Sequence, residues 1–168
     1  GDQGIIGYFD NAEDFARAAT ALDQAKADGV YFVPHPPDPA LISRSMNRLV
    51  AATKKRPATS DHNITQIRWL LVDFDPVRPS GISSTAKELE TAMEAAKAAY
   101  QFLKELGFAD PIKAASGNGF HLNYRLENLP NEEGIAKGGG LIQRCLAAIA
   151  AKVGNNLCKV DLAVYNAA

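Results

Sequence analysis

Asp73 and Asp75 stand two residues apart at the end of the apolar run Trp69-Leu70-Leu71-Val72. In a strand the side-chain period is 2, so both carboxylates share one face and Phe74 points into the opposite layer. Two like charges so placed repel by about 1 to 4 kcal/mol at surface-like dielectrics, which favours a cation between them. A hard divalent ion such as Mg²⁺ or Mn²⁺ takes carboxylate oxygens, and a pair at a strand end leaves positions open for phosphate. The plain alternative is a strand end with two solvated acids before the turn at Pro76.

A second segment, Ala114-Ala115-Ser116-Gly117-Asn118-Gly119-Phe120-His121-Leu122-Asn123-Tyr124, reads as a hairpin. Gly and Asn supply a tight turn after the strand Ile112 to Ala115, and Phe120, Leu122 and Tyr124 alternate with His121 and Asn123. His121 therefore lies on the polar face. Glycines beside a strand end let backbone N–H groups approach a phosphate, and Ser116 adds a hydroxyl. A third alternating run, Lys159 to Asn166, carries the single acid Asp161, which would complete a three-carboxylate metal site.

Taken in order, Asp73-Phe74-Asp75, Ser116 to His121 and Val160-Asp161 resemble the three motifs of the archaeo-eukaryotic primase superfamily. The resemblance is closest to the primase-polymerase domains of plasmids, phages and mobile elements. Gly7-Tyr8-Phe9-Asp10, Gly29-Val30-Tyr31-Phe32, Asn47-Arg48-Leu49, the Pro76-Val77-Arg78-Pro79-Ser80-Gly81-Ile82-Ser83 extension and Val164 to Ala168 strengthen it. Two departures stand out. Val33-Pro34-His35-Pro36-Pro37 replaces a Thr-Leu-Asn-Pro-like stretch. Such domains also continue past Asn-Ala-Ala with an Arg and more sheet, so a catalytic domain truncated at its C-terminal end is expected.

The resemblance implies template-directed nucleotidyl transfer, a DNA primase or DNA polymerase activity with two divalent ions, Mg²⁺ or Mn²⁺, on Asp73, Asp75 and Asp161. It implies that Ser116, Gly117, Gly119 and His121 bind the incoming nucleoside triphosphate. Single-stranded DNA is the implied template, and a helicase domain or a replication or CRISPR module the implied partner. The implied fold is an α+β sandwich with a primase-like catalytic core and an RNA-recognition-type β-sheet unit. Two other readings stay open on the residues alone: an idle single-stranded nucleic-acid-binding module, and a metal-dependent phosphoesterase or nuclease.

Composition frames these motifs. At 168 residues one domain over 1–168 is expected, large enough to bury roughly 70% of its unfolded surface. No apolar run approaches the ~20 residues of a membrane span and no signal segment opens the chain, so no membrane and a cytoplasmic location are expected. Cys145 and Cys158 lack metal-ligand spacing and read as reduced thiols among apolar neighbours. A net charge of −1 is low for a polyanion-binding protein, but Pro39 to Ser60 holds no acid and gathers Arg44, Arg48, Lys54, Lys55 and Arg56. That run is a candidate template contact or a solvated face.

Elements alternate along the chain. Asn11 caps a helix closed by Gly29, a strand spans Val30 to Val33, and Asp38-Pro39 opens a helix to about Val50. The strand Gln66 to Phe74 precedes a helix opened by the capping box Thr85-Ala86-Lys87-Glu88, with Leu89, Met93, Ala96, Tyr100 and Leu103 on one face and Gly107 at its end. After the hairpin, a helix is expected from Asn131 to Lys152. Its triplet Gly138 to Gly140 lacks the Lys-Ser/Thr of a phosphate loop.

Overall fold

The computed structural model describes residues 4–79, 81–134 and 140–168, and the chain divides into two compact units, one running to Thr65 and including Ala168, the other Gln66–Ala167. The first unit is built on a small antiparallel ribbon. Strand β1 (Ile5–Tyr8) precedes helix α1 (Ala12–Gln24) and pairs with β2 (Arg48–Ala51), Ile5 opposite Ala51 and Tyr8 opposite Arg48. Asn11 caps α1 as its sequence suggests, Oδ1 accepting from the Asp14 N–H at 2.8 Å.

Three expectations fail in this unit. Helix α1 ends at Ala25 with Lys26 in the left-handed region (φ 57°), short of Gly29, because the Ala27 and Lys26 N–H groups already satisfy the last carbonyls. No strand forms over Val30 to Val33: the segment finds no ladder partner, and Tyr31 is 92% exposed. The predicted helix to Val50 is a 3₁₀ helix, Pro39–Arg44, after which Asn47 (φ 48°) turns the chain into β2. The apolar side of α1, through Phe15 and Leu22, borders an open cavity of about 890 Å³.

The second unit grows from alternation in β3 (Gln66–Pro76). Leu70, Val72, Phe74 and Pro76 are buried, while Leu71, Asp73 and Asp75 between them are half-buried. Thr85 and Glu88 form both halves of the capping box of α2 (Ala86–Glu105). Gly107, at φ 90°, ends it with paired bonds from Phe108 to Leu103 and from Gly107 to Lys104. The face α2 buries is Ala92, Ala95, Ala96, Ala99 and Leu103, a stripe of small residues that lets the helix sit close. Leu89, Met93 and Tyr100 of the expected face flank it, half-buried.

Strands β4 (Ile112–Ala115) and β5 (Phe120–Pro130) make the hairpin, followed by α3 (Asn131–Gly134), α4 (Leu141–Val153) and β6 (Cys158–Val160). The sheet order is β4-β5-β3-β6, every neighbour antiparallel. With α2 and α4 packed on one face through Leu103, Leu146 and Ile149, this is a split βαββαβ arrangement within a mixed α and antiparallel-β protein. The single helix expected over Asn131 to Lys152 is observed as α3 and α4; residues 135–139, with Gly138 and Gly139, lie outside the described residues, as does Ser80. The last strand is three residues long, not eight, because the Asp161 carboxylate accepts the Ala163 N–H at 2.8 Å and turns the chain. Both cysteines are free, and burial together with Asp75 and Asp73 pushes the Cys158 thiol up to about 11. No helix among the described residues is long and apolar enough to cross a membrane.

Candidate active site

The helices cover one face of the β4-β5-β3-β6 sheet, and the motif residues stand on the other. Cross-strand register sets Asp73 opposite His121 and Asp75 opposite Lys159, with Leu71 opposite Asn123 and Trp69 opposite Arg125. From Trp69 to Asp75 on β3 and from His121 to Arg125 on β5 the odd-numbered positions therefore form one row, as the period of 2 requires, the bulge between Ile67 and Trp69 ending it.

Asp73 is the centre of this row. His121 Nε2 lies 3.1 Å from its Oδ1, with the side chains 29% and 18% exposed respectively. The approach is close enough for an ion pair but off the line of a hydrogen bond, and Oδ1 is buried with no hydrogen-bond partner. Burial holds the Asp73 carboxyl above the usual carboxylate range. His121 opposes that shift, and Asp75 and Asp161 reinforce it. An orphaned, buried acceptor under pressure from two like charges is the electrostatic description of a place that prefers a cation.

Asp161 follows β6 directly. Its N–H donates to the Asp73 carbonyl at 2.9 Å, continuing the ladder one residue past the strand, and one carboxylate oxygen is engaged by Ala163. Asp75 meets the glycine turn from below. A Cβ on Gly119 would strike the Phe74 carbonyl oxygen and stand 3.0 Å from Asp75 Oδ1, so only glycine lets the turn lie this close to β3. The structure thus brings Asp73, Asp75, Asp161, Gly119 and His121 to one end of one sheet face.

Ser116 has a local task. Its N–H donates to the Gly119 carbonyl at 3.1 Å, and its hydroxyl oxygen accepts the Gly119 N–H at 3.0 Å and the Asn118 N–H at 3.3 Å. The hydroxyl and two of the turn's N–H groups thus bond one another, with Gly117 at φ 84° completing the bend. Of the basic run, which belongs to the first unit, Arg44 donates to the Tyr8 hydroxyl at 3.3 Å and the Pro57 carbonyl at 3.1 Å. Arg48, Lys54 and Lys55 are exposed, and Arg56 is half-buried in a turn closed on Thr53.

The donor chemistry, all carboxylate oxygen with one orphaned acceptor, suits Mg²⁺ or Mn²⁺. Among the described residues, however, no three His, Cys, Asp or Glu side chains are gathered closely enough to hold an ion as they stand. One oxygen of Asp161 is already committed to its own turn. Sequence reasoning passes over Lys159, which the β3–β6 register sets opposite Asp75, and Ser84, and it reads Asn118 only as a turn residue. No protein-family model, curated protein or solved structure matches the chain.

Proposed function

We propose that the chain is a nucleotidyltransferase of primase-polymerase type that copies single-stranded DNA. The observation that carries the reading is Asp73: a buried carboxylate oxygen without a hydrogen bond, crowded by Asp75 and Asp161 and faced by His121. The split βαββαβ sheet supports the RNA-recognition-type unit of a primase-like core, since that topology sets the three sequence motifs on adjacent strands.

In the proposed reaction the 3′-hydroxyl of a primer or of an initiating nucleotide attacks the α-phosphorus of a nucleoside triphosphate. A P–O bond forms to the incoming oxygen as its proton passes to water, the α–β bridging bond breaks, and pyrophosphate leaves. Asp73, Asp75 and Asp161 would hold divalent ions, which when bound acidify the attacking hydroxyl and neutralise the triphosphate. His121 leaves Asp73 for a phosphate oxygen and acts as an electrostatic clamp. The 116–119 turn orients the triphosphate beside Asp75.

The deciding experiment incubates the full chain with primed and unprimed single-stranded DNA, Mg²⁺ or Mn²⁺, and labelled nucleotides. Primer extension, or product from unprimed template, supports the proposal. Shortening of the strand without extension would replace it with a phosphoesterase, and no change in either strand would reject both.

A further inference from the structure

The 116–119 turn is held by more than its own hydrogen bonds. Ser84, 34 residues earlier, grips Asn118 twice: its N–H donates to Asn118 Oδ1 at 3.0 Å and its hydroxyl donates to the Asn118 carbonyl at 2.7 Å. Neither bond belongs to a strand ladder or a helix.

Ser84 is itself rigidly mounted. The next residue, Thr85, is the N-cap of α2, its hydroxyl oxygen accepting the Glu88 N–H at 3.3 Å while the Glu88 carboxylate accepts the Thr85 N–H at 2.7 Å. The far end of α2 is anchored by Leu103, which is 1% exposed. Upstream, Arg78 donates to the Ile82 carbonyl and braces the approach. The residue before the N-cap of α2, a helix on one face of the sheet, thus holds a turn that borders the face carrying the acids.

The consequence falls on Asp75 and His121. Gly119, next to Asn118, presses against the Phe74 carbonyl and Asp75 Oδ1, and two residues on His121 faces Asp73. The turn's own bonds tie Ser116 to Asn118 and Gly119, and the Ser84 bonds are side-chain contacts that tie it to another element. We infer that Ser84 is a positioning residue: through Asn118 it sets the height of the 116–119 turn over Asp75 and the lateral placement of His121. Its catalytic effect rests on the nucleotidyl-transfer reading, but the placement itself does not.

The test uses the full chain with Ser84→Ala, Ser84→Thr and Asn118→Ala. Metal-free NMR follows the Gly119 amide and the His121 ring, and primer extension gives kcat and KM for the nucleotide. Ser84→Ala should shift both resonances and lower kcat about five- to tenfold with KM changed less than about twofold, since misplacement of reacting groups acts mainly on the chemical step. Ser84→Thr, which keeps the hydroxyl, should restore both, and Asn118→Ala should reproduce the loss. Unmoved Gly119 and His121 signals in folded Ser84→Ala would overturn the inference, as would a kcat loss that Ser84→Thr leaves uncorrected. If wild type transfers no nucleotide, the nucleotidyl-transfer reading fails. The resonances then decide the placement alone: shifted in Ser84→Ala and restored in Ser84→Thr they uphold it, and unshifted they overturn it.

Discussion

Gly117 and Gly119 sit two residues apart and are glycine for different physical reasons, which a pair of alanine substitutions should separate. Gly117 has φ 84° and nothing within 4 Å of the position an added methyl group would take, so Gly117→Ala carries only the left-handed penalty, about 1–2 kcal/mol. At Gly119 the φ is ordinary and the obstacle is steric: a Cβ would meet the Phe74 carbonyl oxygen closer than the 3.0 Å real Cβ atoms keep, with Asp75 Oδ1 at 3.0 Å behind it. The carbonyl is fixed in the β3 ladder, so the turn must lift by on the order of 1 Å to regain van der Waals distance. Overpacking of this kind costs about 1–3 kcal/mol, and the lift also strains the two Ser84 to Asn118 bonds, each contributing about 0.5–1.5 kcal/mol. A total of about 2–6 kcal/mol corresponds to a melting temperature lower by about 4–24 °C for a chain of this size. Thermal unfolding followed by circular dichroism measures it, and the His121 ring resonances should shift in Gly119→Ala. If Gly119→Ala melts at or above Gly117→Ala, the turn does not bear on β3 and the reasoning is wrong.

Asp73→Asn should abolish transfer while leaving metal-free stability unchanged or raised. Burial lifts the Asp73 pKa above its ordinary 3.8, so its ionisation penalises the folded state. That penalty is absent below the unfolded pKa and grows as pH rises through the raised folded one. A stability profile of the wild type against pH should show this loss and Asp73→Asn should not; a variant that melts markedly lower at every pH would make the carboxylate structural. His121→Asn should weaken nucleoside triphosphate binding by about tenfold to a hundredfold, the value of a charge-assisted hydrogen bond, with DNA binding near wild type by fluorescence anisotropy. Equal loss of both would put His121 on the template path. Neutralising Lys54, Lys55 and Arg56 together should reduce the slope of log affinity for single-stranded DNA against log salt by about 0.7 for each phosphate no longer neutralised, and an unchanged slope would make the run a solvated face. Tyr124 has a buried hydroxyl without a hydrogen bond, so Tyr124→Phe should be neutral or stabilising by about 1 kcal/mol in denaturant unfolding while its ring keeps its edge contact with Phe108, 5.5 Å away.

What the sequence made legible was local. The period of 2 in β3 beyond its bulge, the Thr85 to Glu88 capping box and the Ser-Gly-Asn-Gly turn each act over a few residues and each forms, though in the turn Gly117 and not Asn118 takes the left-handed conformation. The face shared by Asp73, Asp75 and His121 follows from the same periodicity. The departures share another cause: Val30 to Val33 has strand-like composition but no partner, and a strand exists only as a pair. β1 escapes recognition because Ile5 and Ile6 are adjacent, which hides alternation. Asp161 reads as one more alternating position, yet its carboxylate finds the Ala163 N–H and ends the strand. The Ser84 to Asn118 clasp spans 34 residues and depends on the sheet order, which no local pattern encodes.

The row on the acid-bearing sheet face ends in an optical device. Trp69 is the one tryptophan in the chain, and the Arg125 guanidinium lies 5.2 Å from its ring centroid. Four residues along β3 from Asp73, it sits about 13 Å away on the same face. A cation held against an indole face alters the energy of its excited state, so emission depends on whether Arg125 stays stacked. Intrinsic fluorescence of the unlabelled chain therefore reads a single location on the sheet that carries the acids. Titrating Mn²⁺, nucleotide or DNA separately asks of each whether it moves Arg125 from the ring.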